Sequence, residues 1–398
     1  MSKIPVSVCI IAKNEEKYID ECLKRLEPYG FEIVVTDTGS TDQTVEIAKK
    51  YTDKVFAFEW INDFSAARNF CVSHASNNWI LTLDCDEYVH SIDVSSLRRI
   101  MQKYPRAIGE IQMKSLVQSR GVTSYAVDEV RRFYNRNYYF FEGAIHEQIQ
   151  AKDERQRGKA FEEITLPMEV IHHGYNLTPE EMKKKSERNL TMLYKALETD
   201  PDNTYMLYQA AHSESMQGNY FEAIPLYEKA LGIMDTVTCE FERLMIMALG
   251  VDYVRTGQFQ KAVDLMERYA DQCKTAKYMF THANVLLDSG DRLRALLLYI
   301  KTIMMPDVDT LGVNKLHCFE NIIRIYTELG NTEMADLFRQ RYEECRQENE
   351  PLIKNRAVLK MPCFFIRFYF LVSGTSIKTC FDESGTSLIA LSSSKDAL

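Results

Sequence analysis

The chain has 398 residues, and its 48 basic and 57 acidic side chains give a formal net charge of −9. This acidic balance, with no long run of Lys or Arg, argues against duplex nucleic acid as a partner. Ten cysteines are scattered without a Cys-x-x-Cys pair, in a chain long enough to bury a core without disulfides. Reduced thiols are therefore expected, which predicts a cytoplasmic protein and argues against a zinc site.

Residues 1–177 alternate short apolar runs with amphipathic ones, which is typical of an α/β domain with a mostly parallel, Rossmann-like sheet. Helices are predicted at 15–26, 44–51 and 64–75, and strands at 6–12, 32–36, 55–58 and 79–83. Ligands of such sheets bind outside the carboxyl ends of the strands. Asp37 and Asp84 each follow a strand, so both are expected to face that crevice.

The remainder of the chain reads as helices. We predict a linking helix at 178–200, tetratricopeptide-like helical repeats at 201–345, and a partly loosely ordered cap or tail at 346–398. Glycines followed by a polar and an aromatic residue recur, and buried-type alanines recur at intervals close to the ~34 residues of such repeats. The alanines are Ala223, Ala262, Ala295 and Ala335. A generic helical bundle is the alternative.

The most apolar segment of the chain lies in the predicted tail, at 361–372. It contains Arg367 and is shorter than the ~20 residues that a spanning helix needs. The segment therefore predicts at most peripheral membrane contact, or docking onto the body of the protein.

Asp84-Cys85-Asp86-Glu87 is the sharpest motif in the chain. Two carboxylates at this spacing suit Mg²⁺ or Mn²⁺, which prefer oxygen ligands and neutralise a diphosphate leaving group. The motif predicts a divalent-metal site for a nucleotide-sugar donor, with one carboxylate on the metal and the other near the ribose or a metal-bound water. A polar turn is the simpler alternative.

Two further strand ends carry residues that suit a nucleotide. In the turn 37–42, Asp37 and Ser40 flank Gly39, which allows close approach of the backbone to a base or ribose. Asn14 and Glu15 follow the first strand. We expect these four side chains at the donor nucleotide, with turn formation and helix capping as the alternative.

Three residues are candidates for the transfer step itself. Arg68, on the third predicted helix, either contacts the donor phosphates or is a solvated helix residue. An inverting transfer needs a base that takes the acceptor's proton as the acceptor attacks the anomeric carbon. Glu147 is the candidate base and His146 the alternative, whereas a buried His–Glu pair would be purely structural.

His172 and His173 close the α/β half. Adjacent side chains on an extended chain point to opposite faces, so at most one of the two can face the crevice. A neutral imidazole is a good ligand for the same metal. His172 is predicted to bind the metal or the diphosphate; otherwise the pair belongs to the domain junction.

The chain resembles the family 2 glycosyltransferases of GT-A fold through four segments in suitable order and spacing. The segments are Ile10-Ile-Ala-Lys-Asn-Glu, Asp37-Thr-Gly-Ser-Thr-Asp, Ala67-Arg-Asn and Leu83-Asp-Cys-Asp-Glu. Within that family it is similar to members with C-terminal tetratricopeptide repeats, including the sublancin-type S-glycosyltransferases that modify a bacteriocin cysteine. The likeness covers roughly residues 5–230.

The resemblance implies roles for four residues. Asp37 would contact the uracil side of a UDP-sugar, Asp86 would bind the metal with Asp84 close by, and His172 would lie near the diphosphate. Cys85 departs from the family, which usually has Ala or Pro at this position.

Three functions remain open from the sequence. The first is an inverting, metal-dependent transfer of a hexose from a UDP-sugar to Cys or Ser/Thr of a bacteriocin-like peptide, or to another peptide or protein, held by the repeats. The second is transfer to a cell-surface glycan or lipid-linked saccharide. The third is a non-catalytic adaptor, which the intact Asp84, Asp86 and His172 argue against. A homodimer is left open.

Overall fold

A computed structural model describes residues 4–119, 122–157, 159, 161–173, 179–312 and 314–354. Its first part alternates strands with short helices. The strands are β1 (Val6–Ala12), β2 (Glu32–Asp37), β3 (Val55–Ala57), β4 (Trp79–Leu83), β5 (Glu87–Ile92), β6 (Ile108–Ser119), β7 (Val122–Asn135), β8 (Tyr139–Glu142), β9 (Gln148–Ala151) and β10 (Glu163–His172). The helices among them are α1 (Ile19–Leu26), α2 (Thr44–Ala48), α3 (Phe64–Ser73) and α4 (Val94–Lys103).

Eight strands form one sheet in the order β3-β2-β1-β4-β7-β6-β10-β5, and β8 pairs with β9 separately. Strands β1 to β4 are parallel, β6 and β10 run in the same direction, and β5 and β7 are reversed. The prediction of a mostly parallel α/β sheet is confirmed. Since the six parallel strands end at one edge, the loops that follow them are brought to the same side of the domain.

Strand β1 is buried on both faces, each against a different layer. Val8 and Ile10 belong to a core cluster that also contains Leu23 of α1, whereas Cys9 belongs to a second cluster with Cys71 of α3. This explains why β1 is apolar except for the buried Ser7, because a central parallel strand has no solvent face to keep polar.

Helix α1 begins at Ile19, later than the predicted start at 15. Asn14, immediately before the predicted start, adopts a left-handed conformation with φ of 57°, so the chain turns there towards the loop after β2. The backbone N–H of Glu15 instead donates to Thr44 Oγ1 over 2.7 Å. The start of the helix is therefore displaced by a contact with the next βα loop.

The second part of the molecule consists of paired helices. They are α6 (Thr204–Gln217), α7 (Tyr220–Ile233), α8 (Glu240–Arg255), α9 (Phe259–Tyr269), α10 (Ala276–Asp288), α11 (Arg292–Ile303), α12 (Asn314–Glu328) and α13 (Thr332–Lys354). Left-handed glycines follow the first helix of each pair at Gly218, Gly257, Gly290 and Gly330. The four recurring alanines are almost completely buried, which lets paired helices approach closely. The prediction of tetratricopeptide-like helical repeats is confirmed.

Helix α5 (Pro179–Thr199) occupies the predicted linking segment and packs on α6. Helix α13 continues to Lys354, beyond the predicted end of the repeats at 345. The remainder of the predicted tail, 355–398, which includes the apolar segment 361–372, lies outside the described residues. Within the part of the chain that the structure describes, no helix combines the length and apolar character required to cross a membrane.

Candidate active site

The loops after β1 and β2 are joined by hydrogen bonds. The backbone N–H of Asn14 donates to Ser40 Oγ over 2.9 Å, and Asn14 Oδ1 accepts from the backbone N–H of Thr41 over 2.8 Å. The carboxylate of Asp37 accepts from the backbone N–H groups of Gly39 and Ser40 over 3.1–3.2 Å. Turn formation therefore uses these side chains, while Asp37 and Ser40 stay partly exposed.

Glu15 lies close to the Asp84-Cys85-Asp86-Glu87 loop. Burial, and then the negative charges of Asp86 and Asp84, together raise its pKa to about 7. Three carboxylates thus share a small region at the carboxyl edge of the sheet. Such a region favours a proton or a cation.

A chain of buried ion pairs connects this loop to Glu147. Arg68 donates from Nη2 to Asp84 Oδ1 over 2.9 Å and from Nε to Glu147 Oε1 over 2.5 Å. Arg132 donates from Nη2 to Asp84 Oδ2 over 2.9 Å and also to Glu87. The order of charges is therefore Glu147, Arg68, Asp84, Arg132 and Glu87.

The Arg68–Glu147 end of this chain is shielded from water, with side chains 7% and 14% exposed, whereas the side chain of Asp84 is 37% exposed. Burial opposes the charge on Arg68, but Asp84 and Glu147 raise its pKa above the usual arginine value. Burial likewise works against ionisation of Asp84, yet Arg68 and then Arg132 lower its pKa. Nη1 of Arg68 is buried and has no hydrogen-bond partner among the described residues.

Arg132 and Glu87 are site residues that the sequence reasoning missed. Glu87 is the last residue of the recognised motif, where it was given no role of its own, and its side chain also accepts the backbone N–H of Asp84 over 3.0 Å. Arg132 stands in the pair Arg131-Arg132 on β7, where alternation puts the two side chains on opposite faces. Only Arg132 reaches Asp84, whereas Arg131 pairs with Glu110 and Glu163.

Asp86 and His172 are brought together by the sheet. His172 Nε2 lies 3.3 Å from Asp86 Oδ2, and each side chain is 23% exposed. Burial lowers the pKa of His172, but the hydrogen bond and charge of Asp86 more than offset this and raise it overall. His173 points elsewhere, with its ring 4.5 Å from that of Tyr88.

Asp86 and His172 fit a divalent cation as a pair of ligands. No group of three or more potential ligand side chains is assembled around one point within the described ranges. A carboxylate oxygen and an imidazole nitrogen nevertheless suit Mn²⁺ or Mg²⁺, with the diphosphate and water completing the shell. Both oxygens of Asp84 already accept from arginines, so its place on the metal or near the ribose stays a prediction.

Glu147 lies in a loop of unusual backbone conformation, residues 143–148. Gly143 has φ of 104° and His146 has φ of 51°. Burial lowers the pKa of His146, which favours a neutral imidazole. The structure therefore places both candidate bases in one loop, and it joins Glu147, rather than His146, to the charges around Asp84.

Residues 7–161 match the family model described as Glycosyl transferase family 2. The chain is similar to the SPbeta prophage-derived glycosyltransferase SunS of Bacillus subtilis, with 26% identity over 343 residues, 83% of this chain and 79% of that protein. It is 29% identical over 204 residues to a TPR repeat-containing protein of Synechococcus elongatus, across 50% of each chain. A shorter match joins it to the lipopolysaccharide core biosynthesis glycosyltransferase LpsC of Rhizobium meliloti, at 32% over 113 residues, 27% of this chain and 40% of LpsC.

Proposed function

The chain is a glycosyltransferase with a family 2 domain followed by tetratricopeptide-like repeats, and on this basis we propose that it transfers a hexose from a UDP-sugar to a peptide or protein in the cytoplasm. The reaction proceeds with inversion and depends on a divalent metal. The observation that carries the proposal is the chain of ion pairs from Asp84 through the buried Arg68 to Glu147. This chain connects the loop around Asp84, which suits a donor diphosphate, with Glu147, a carboxylate that suits proton transfer.

The donor lies across the carboxyl edge of the sheet. Asp37 and Ser40, with Asn14 and Glu15, contact the nucleoside, because the βα loops of β1 and β2 meet there. Asp86 and His172 hold Mg²⁺ or Mn²⁺, which when bound neutralises the diphosphate. Arg68, whose buried Nη1 has no hydrogen-bond partner among the described residues, supplies positive charge near the donor phosphates.

Glu147 acts as the base. The acceptor's thiol or hydroxyl loses its proton to Glu147 while its sulfur or oxygen bonds to the anomeric carbon. The bond from that carbon to the diphosphate breaks, and UDP leaves with the electron pair. Arg68 orients Glu147 for this step, since it donates to the carboxylate over 2.5 Å. His146 is the alternative base in the same loop.

A peptide acceptor is favoured by the helical array, whose first helix pair adjoins the loop that carries Glu147. Stacked repeats leave an extended surface for a partner. The match to LpsC favours a second candidate, transfer to a saccharide, because its name refers to lipopolysaccharide core synthesis. Cysteine- and serine-containing peptides and lipid-linked saccharides are therefore the two acceptor classes to compare.

The test is release of UDP from a panel of UDP-sugars, with and without Mn²⁺ or Mg²⁺ and with each acceptor class. We expect one donor to be consumed, and Asp86→Ala to lower the rate by more than about 100-fold. Asp53→Ala is the control, since Asp53 is an exposed acid between α2 and β3. Full activity in chelator, or in Asp86→Ala, would contradict the metal-dependent reaction.

A further inference from the structure

The loop 143–148 is held on one side by the catalytic domain. The backbone N–H of Phe64 donates to the carbonyl of Ala144 over 2.8 Å, and Arg68 pairs with Glu147. Asn69 makes two hydrogen bonds to the backbone of Phe141, of 2.8 and 3.0 Å. Helix α3 therefore anchors both the loop and the strand that leads into it.

The other side of the loop is held by the helical array. Nε2 of Gln148 donates to Tyr205 Oη over 3.2 Å and to the carbonyl of His146 over 3.0 Å. Tyr205 lies in the first turn of α6. Its neighbour Met206 approaches Gly143, where an added Cβ would lie 3.8 Å from the Met206 methyl group.

The backbone of the loop needs such support. A residue other than glycine in the left-handed region costs roughly 1–2 kcal/mol, and His146 occupies that region. Gln148 bonds to the carbonyl of this residue with the same amide group that reaches Tyr205. A hydrogen bond from the array thus acts on the strained point of the loop, next to Glu147.

Tyr205 is itself fixed by the second helix pair. Its ring contacts that of Phe241 in α8 edge-on at 5.2 Å between centroids, and Tyr208 lies 6.4 Å away. Aromatic pairs of this kind hold a ring in a defined orientation. The hydroxyl of Tyr205 is therefore presented to Gln148 by packing within the array.

We infer that Tyr205 is a positioning residue that holds Glu147 in its transferring orientation through Gln148, so that the first repeats form part of the catalytic unit. This inference rests on the proposed role of Glu147 as base. The helical array then has two roles. It binds the acceptor, and through α6 it also positions the loop that carries Glu147, the base that deprotonates the acceptor.

Hydrogen–deuterium exchange of the full-length protein tests the contact without reference to turnover. Tyr205→Phe keeps the ring and removes the hydroxyl, and we expect the amides of 143–148 to exchange roughly fivefold faster. Tyr208→Phe is the matched control, one turn further along α6 in the same aromatic group, and is expected to leave the loop unchanged. Unchanged exchange in Tyr205→Phe, or an equal increase in both variants, overturns the inference.

Kinetics then test the consequence. Tyr205→Phe is expected to lower kcat roughly fivefold with the KM for the UDP-sugar unchanged, and Gln148→Leu to do the same. Gln148→Leu removes the hydrogen bond to Tyr205 and also the one to the His146 carbonyl. The double variant should therefore lose no more than Gln148→Leu alone, because the Tyr205 hydroxyl acts on the loop through Gln148. Additive losses contradict the inference. A wild-type protein that transfers no sugar contradicts the proposed function instead, and the exchange data still decide whether Tyr205 holds the loop.

Discussion

Arg68 in the α/β domain and Arg294 in the helical array each bridge two carboxylates, but only one of them is buried. Arg68 joins Asp84 and Glu147 at 7% side-chain exposure, whereas Arg294 joins Asp291 and Glu267 at 53%. Exposed ion pairs contribute little to stability, while a buried charge that loses its partner is costly. An arginine that bridges two carboxylates is therefore expected to matter more for stability in the α/β domain than in the helical array.

The array obtains its stability by another route. Its paired helices are joined by buried alanines and aromatic rings, of which Tyr227 and Tyr299 are completely buried. Packing of this kind requires no charge at the helix crossings. The α/β domain, in contrast, links five ionisable side chains near its crevice, where Arg68 and Arg132 orient Glu147 and Asp84.

Loss of a bridging arginine is expected to give the largest difference in stability between the α/β domain and the helical array. Arg68→Met preserves much of the volume but leaves Asp84 and Glu147 without this partner, so we expect a loss of about 3–5 kcal/mol in the free energy of unfolding. Arg294→Met should cost less than about 1 kcal/mol. Calorimetry of both variants measures the difference, and equal losses would show that burial does not distinguish the two bridges.

A second difference concerns rising pH. Asp252 of α8 is buried, accepts a hydrogen bond from Ser215 Oγ over 2.9 Å, and has its pKa raised by burial to about 7. The folded chain thus keeps a proton that the unfolded chain loses near pH 3.8, and stability falls as pH rises from about 4 to about 7. We expect Asp252→Asn to remove this fall and to stabilise the protein by about 1–3 kcal/mol at alkaline pH.

Urea unfolding at about pH 5 and about pH 8 gives the comparison. Asp336→Asn serves as the control, because Asp336 lies on α13 with a side chain that is 71% exposed. If Asp252→Asn has the same pH dependence as the wild type, Asp252 is not protonated in the folded array.

The α/β domain should respond to pH with the opposite sign. Burial alone would raise the pKa of Glu32, but hydrogen bonds from Lys54, Ser7 and Ser76 lower it to about 2. Its stabilising contribution is therefore complete above about pH 4.5 and is lost as pH falls to about 2. Glu32→Gln should remove about 1 kcal/mol at neutral pH, since the ion pair is partly exposed, and should flatten the acid limb of a thermal stability profile. An unchanged acid limb would place the acid sensitivity elsewhere.

The smallest effect is expected from two equivalent tyrosines of the array. Tyr299 Oη donates to Asn284 Oδ1, whereas the buried Tyr227 Oη has no hydrogen-bond partner among the residues that the structure describes. Tyr299→Phe should cost about 1 kcal/mol, and Tyr227→Phe should be neutral or slightly stabilising. Denaturant midpoints of the two variants make this test, and a clear loss in Tyr227→Phe would reveal a bond that the present geometry lacks.

Sequence periodicity was sufficient for the architecture because both halves repeat a simple pattern. Alternation along β10 also anticipated that only one of the adjacent histidines could face Asp86. The start of α1 was placed wrongly because Glu15, its predicted first residue, is bonded to Thr44 in a loop that is distant in sequence.

The chain of ion pairs could not be read from the sequence. Arg68 and Glu147 are separated by 79 positions, and Arg132 and Asp84 by 48. A short-range sequence pattern does not predict which charged side chains form ion pairs across a sheet. The contact between Gln148 and Tyr205 is hidden for the same reason, since it joins residues of two different domains. The ligand roles of Asp84, Asp86 and His172 stay predictions.

The position of β10 has a consequence for synthesis of the protein on the ribosome. Strand β10 lies between β6 and β5, and its last residue, His172, meets Asp86 of a loop made much earlier. The loops after β1 and β2 need only the first 44 residues for their mutual hydrogen bonds. At ~5–20 residues per second, several seconds of translation separate Asp86 from His172. All residues of the loops after β1 and β2 therefore leave the exit tunnel before β10, and the Asp86–His172 pair can form only after β10 has emerged.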